Sequence, residues 1–126
     1  MSLQFSEGKL EGTNLGEFGG MLRWKSLDRG SKTEVIFRDD VVGMANDGDG
    51  AMVLFGLAHL TLAYGYVLRV VQTSDDWNLS EVAQLPAEAE ALTTIAPGTF
   101  AALSRNRVVV FTRIGILGMA VCDGRR

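Results

Sequence analysis

Catalysis and metal binding draw on a short set of side chains, and this chain holds few of them at a useful spacing. His59 is its sole histidine and Cys122 its sole cysteine. General-base work or a zinc site would need partners for them. His59 heads an apolar run, and Cys122 lies beside Asp123 with no adjacent cation except the final arginines, so both read as structural. Asp39-Asp40 and Asp75-Asp76 are paired carboxylates of the kind a glycosidase needs, but that chemistry requires two carboxyls facing one another. Neighbours on a strand point to opposite faces, and both pairs sit where strands end, so turn duty is the better reading. The run N-D-G-D-G at 46–50 suggests a calcium loop until its frame is tested. An EF-hand opening at Asp47 needs glycine and glutamate where Met52 and Ala58 stand, and a hairpin turn explains the residues. Gly16-Glu17-Phe18-Gly19-Gly20 lacks the preceding strand and following helix of a nucleotide fingerprint. The sequence nominates no catalytic residue, no metal site and no cofactor. What remains for recognition is aromatic: Trp24, Tyr64, Tyr66 and Trp77, with His59, are the candidate binding residues, because aromatic anchors dominate interface energetics.

The elements that must position these residues are strands. Ala91 to Ala120 reads as four in a row, Leu92–Ala96, Thr99–Ser104, Arg107–Thr112 and Ile116–Val121. Pro97-Gly98, Arg105-Asn106 and Ile114-Gly115 separate them, all suited to tight reversals. Val108, Val109, Val110 and Phe111 are consecutive, which predicts a sheet covered on both faces rather than one. Upstream, Met21–Ser26 and Thr33–Arg38 read as a hairpin joined by L-D-R-G-S-K. Strands follow at Val41–Ala45, Ala51–Phe55, His59–Ala63, Tyr66–Gln72 and Trp77–Leu85, with a break at Gly56 and a turn or bulge at Tyr64-Gly65. Residues 1–20, rich in glycine, read as irregular with one weak strand, and 21–126 as a single all-β domain. Only Ala87–Ala91 has helical character.

An internal repeat organises the domain, with units at 41–90 and 91–122. With Gly50 set over Gly98, an offset of 48 residues, Ala51–Phe55 lies over Thr99–Leu103 and His59–Ala63 over Arg107–Phe111. The segments N-D-G-D-G-A-M-V-L-F-G-L-A-H-L-T-L-A and A-P-G-T-F-A-A-L-S-R-N-R-V-V-V-F resemble successive β-propeller blades. With the hairpin at 21–38 the resemblance implies about two and a half blades. The Gly-His and Trp-Asp pairs of WD repeats and the kelch pattern are absent, so no site of those families carries over. The alternative is one β-sandwich or barrel with a private core.

Composition bounds the partners. The chain has 126 residues, is 47% hydrophobic and carries a net charge of −3, which argues against a general nucleic-acid binder. Residues 70–104 contain no Lys or Arg, whereas Arg105, Arg107, Arg113, Arg125 and Arg126 follow. The two runs read as solvated faces, or as complementary ends of a self-associating subunit. One cysteine, no signal-like start and no apolar run near the ~20 residues that span a bilayer lead to the expectation of a cytoplasmic protein that does not engage membranes. The functional expectation is a non-catalytic interaction or scaffold module whose partner is a protein or another copy of itself. Its alternatives are a small β-barrel or sandwich binding a ligand in a pocket of Tyr64, Trp77 and His59, or an unrecognised enzyme.

Overall fold

The computed structural model describes residues 1–27, 32–59, 62–74 and 76–122. The chain is all-β: among these residues there is no α-helix, only one short 3-10 turn at Gly16–Phe18. No helix is therefore long and apolar enough to cross a membrane. Among the described residues twelve strands form three sheets of four, each an antiparallel meander of consecutive strands. The first holds β1 (Ser2–Phe5), β2 (Gly8–Asn14), β3 (Gly20–Ser26) and β4 (Thr33–Phe37). The second holds β5 (Val41–Asp47), β6 (Gly50–His59), β7 (Leu62–Thr73) and β8 (Asp76–Gln84). The third holds β9 (Ala89–Ala96), β10 (Thr99–Ser104), β11 (Arg107–Thr112) and β12 (Gly115–Val121). No sheet closes into a barrel, so that alternative is set aside.

The sheets stack face to face with the second in the middle. Its β6 explains why. Ala51, Met52, Val53, Leu54 and Phe55 are all fully buried, and alternate residues face opposite ways. Ala51, Val53 and Phe55 join Leu10, Leu22 and Trp24 of the first sheet in one core. Met52 and Leu54 join Phe100, Ala102 and Phe111 of the third sheet in another. Two separate cores make this a three-layered stack rather than a single sandwich.

Several expectations drawn from the sequence change in the folded chain. Residues 2–14 form β1 and β2 instead of an irregular segment, because Leu3, Phe5 and Leu10 alternate with Gln4, Lys9 and Glu11 and feed the first core. Gly56 is not a break. It lies within β6 and pairs with Gly65 inside β7, where β9 crosses this ribbon. A Cβ on Gly56 would come within 2.7 Å of the Ala89 side chain, and one on Gly65 within 2.9 Å of the Ala89 backbone nitrogen. Hence His59 ends β6 instead of opening a strand, and Leu60 and Thr61 lie outside the described residues. Ala87–Ala91 is not helical: Ala89 onwards is β9. The 48-residue offset aligns β6 with β10 but reverses their faces. It sets Met52 and Leu54, which face the third sheet, over Phe100 and Ala102, which face the second. One more residue restores phase, placing Ala51, Val53 and Phe55 over Phe100, Ala102 and Ser104.

Candidate functional site

The five aromatic and histidine candidates all belong to the interface between the first two sheets, but they gather at different points along it. Phe55, Tyr64 and Tyr66 share one face of the β6–β7 ribbon. The Tyr64 and Tyr66 rings stack at 6.2 Å, and Tyr66 stacks on Phe55 at 5.3 Å. Both hydroxyls donate to the carboxylate of Asp39, Tyr64 to Oδ1 at 2.6 Å and Tyr66 to Oδ2. Burial, and then this carboxylate, push the Tyr64 hydroxyl up to about 12 and raise that of Tyr66 as well. Farther out on the ribbon, His59 Nε2 lies 2.5 Å from Glu17 Oε2.

Trp24 and Trp77 meet elsewhere, with ring centroids 5.2 Å apart. Trp77 pairs with Gln72 on β7, eight residues from Tyr64, or roughly 27 Å along a strand. The pocket of Tyr64, Trp77 and His59 anticipated for a small ligand therefore does not form. Trp77 Nε1 donates to Glu34 Oε1 at 3.0 Å, which anchors β8 to β4. The two tryptophans line a cavity of about 410 Å³ at the mouth of the interface, beside the β1–β2 and β5–β6 turns.

Among the acidic candidates, Asp39, Asp40 and Asp47 make contacts within the fold. Asp39 serves the tyrosines, and Asp40, almost fully buried, accepts the Leu15 amide at 3.0 Å. In the β5–β6 turn, Asp47 accepts Arg69 Nε at 2.9 Å and a terminal guanidinium nitrogen of Arg113 at 3.2 Å, tying the second sheet to the β11–β12 turn. Burial alone would raise the Asp47 carboxyl, but the two arginines outweigh it and hold it below its ordinary value. Arg105 pairs with Glu88 at 3.0 Å. One arginine of the basic run thus meets one glutamate of the stretch 70–104 within the chain. Asp75, Asp123, Arg125 and Arg126 lie outside the described residues. Among the described residues no cluster of three or more His, Cys, Asp or Glu could hold a metal ion, and Cys122 is exposed.

One surface was missed because it contains no reactive side chain. On the outer face of the third sheet, Thr93, Ala101, Val110 and Gly118 form one cross-strand row, and Ala91, Leu103, Val108 and Ala120 form the next. Neither row contains a charge. The opposite end of the stack differs. There the outer rows are Gln4, Lys9, Lys25 and Thr33, and Ser2, Glu11, Arg23 and Val35. Glu11 pairs with Lys9 and Arg23 at 3.6 and 3.5 Å. Beside the uncharged rows, Leu117, Met119 and Val121 of the edge strand β12 are exposed. The expectation that the third sheet is covered on both sides is thereby corrected: Val109 is fully buried, whereas Val110 is only half-buried. Covering on both faces belongs to the second sheet. No protein-family model matches the chain, and no curated protein or solved structure compared with it matches either.

Proposed function

We propose that this chain is a non-catalytic, all-β interaction module, propeller-like in its layering, that presents the uncovered face of its third sheet to a second copy of itself. The observation that carries the proposal is the pair of uncharged rows across β9 to β12, at one end of the stack only. Consecutive four-stranded meanders layered face to face support the blade reading. A second copy is the occupant that fits, because the face is sheet-like, uncharged and lined by small side chains, and an identical face complements it. Four strands at about 4.8 Å and about six residues at 3.4 Å give roughly 400 Å² per partner. The total of roughly 800 Å² is below the size of a permanent interface, so the association is weak and reversible.

Sedimentation across a concentration series tests this. The native chain should move from 13.6 kDa towards twice that mass at about 100 µM. Val110→Asp should stay monomeric with a melting temperature near that of the native chain. Val109→Asp, with its charge aimed into the second core, should unfold the protein at a cost of several kcal/mol. A native chain that remains monomeric throughout the series refutes the proposal.

A further inference from the structure

The cavity at the mouth of the first two sheets has a chemistry of its own, independent of the third sheet and of self-association. Its apolar side is built from Phe5, Trp24 and Trp77, whose rings tilt against one another at 55° and 58° with centroids 6.1 and 5.2 Å apart. Trp24 is only 7% exposed and is fixed from behind, since a Cβ on Gly8 would strike its ring at 2.6 Å. Trp77 is held at its indole nitrogen by Glu34. The aromatic groups are therefore locked in place before any ligand arrives, which lowers the cost of binding.

The charged side chains that line this wall are carboxylates, and the nearest arginines, Arg69 and Arg113, are already paired with Asp47 and Asp49. The cavity and a second one of about 380 Å³ that adjoins it share Ser6, Glu7, Trp24 and Gln72. Among their described lining residues the charged groups are Glu7 and Asp49, with no lysine or arginine. Asp49 is paired with Arg69 at 3.1 Å, so Glu7, exposed on the β1–β2 turn, is the lining carboxylate not tied to an arginine. Glu34 adds a second carboxylate at the edge of the Trp77 ring. An aromatic surface carries negative charge on its faces, and carboxylates beside it strengthen the attraction for a cation that is weakly hydrated.

We infer that this cavity is a binding site for an organic cation, an alkylammonium or quaternary ammonium group seated against Phe5, Trp24 and Trp77 and neutralised by Glu7. Among the described residues no three His, Cys, Asp or Glu side chains converge here to take the place of an inorganic cation's water. A quaternary ammonium group presents methyl groups to the rings and surrenders little hydration.

The chain reports on this site directly, because its only two tryptophans both line the cavity. The full chain is titrated with choline and, in parallel, with 3,3-dimethylbutan-1-ol, its uncharged isostere, while tryptophan emission is followed. Choline should shift the emission saturably, and the isostere should bind at least about fivefold more weakly. Glu7→Gln, on an exposed turn, should weaken choline about threefold and bring the two ligands closer together. Trp77→Phe, which keeps a ring, should weaken choline while Trp24 still reports. Equal affinity for choline and its isostere would make the cavity merely hydrophobic and overturn the inference. So would a response to methyl glucoside but not to choline, or no response to choline at tens of millimolar.

Discussion

At the scale of single residues, the carboxylates of this chain hold the fold together. Asp39 accepts hydrogen bonds from two phenol hydroxyls, and Tyr64 and Tyr66 are the only tyrosines in the chain, so alkaline titration reads them without interference. Tyr64 should titrate near 12 in the native protein, and Asp39→Asn should draw it back towards its ordinary value of 10.0, as followed by tyrosinate absorbance. Because the folded value is the raised one, the stability it carries is whole below pH 10 and drains as pH climbs through about 12. An unchanged titration in Asp39→Asn would show that burial alone sets the shift. Asp47 has the opposite sign. Its lowered carboxyl contributes stability that is intact above its ordinary value of 3.8 and disappears as pH falls below it. Asp47→Ala should cost about 2 kcal/mol near neutrality, and its gap from the native chain should narrow in acid. Denaturant unfolding at both pH values measures this. The tyrosines and tryptophans could be chosen from sequence because aromatic residues are recognisable singly. Asp39 stood out only as half of a carboxylate pair, and its partners were not legible, since only the fold brings it to residues 25 and 27 positions away.

Among the elements, the middle sheet governs stability. β6 is buried on both faces for five consecutive residues, so Val53→Asp and Leu54→Asp should each cost several kcal/mol although they enter different cores. Thermal melting of the two variants checks it, and one that melts normally would mean that one of those cores is not formed. Gly65→Val, set against the backbone of Ala87 and Ala89, should lose about 1–3 kcal/mol through overpacking. The four strands of the third sheet were legible almost to their ends, because each lies between turn dipeptides. Burial was less legible. V-V-V-F and A-M-V-L-F look alike as apolar runs, yet one lies in an end sheet and the other in the middle of the stack. A run of β-formers shows that both faces tolerate burial, but whether a neighbour covers them is decided by the order of the layers. The same applies to the glycine pair at 56 and 65. Alone each reads as punctuation, and only their pairing opposite Ala89 shows them to be a crossing point.

The molecule as a whole has unlike ends, and that determines how copies can meet. A head-to-tail ring would press the uncharged rows of the third sheet onto Lys9, Glu11, Arg23 and Lys25 of the first. Stripping water from those charges against a face that offers them no partner costs more than burial of small side chains returns. Pairing like faces about a two-fold axis avoids that cost, leaves the charged end in water and closes after two copies. In such a dimer Ala101 and Val110, on the two middle strands, lie near the axis, so each approaches its own equivalent. With the exposed Cys122 replaced by serine, Val110→Cys should cross-link to itself through a short thiol-reactive linker. Mixing it with Lys9→Cys should add no mixed product. A ring would give the reverse, with little self-product and abundant linkage between the two variants. Added salt separates the cases again. It should leave the like-face dimer nearly unchanged, because no ion pair crosses the contact, whereas an assembly seated on the charged face would change markedly with ionic strength.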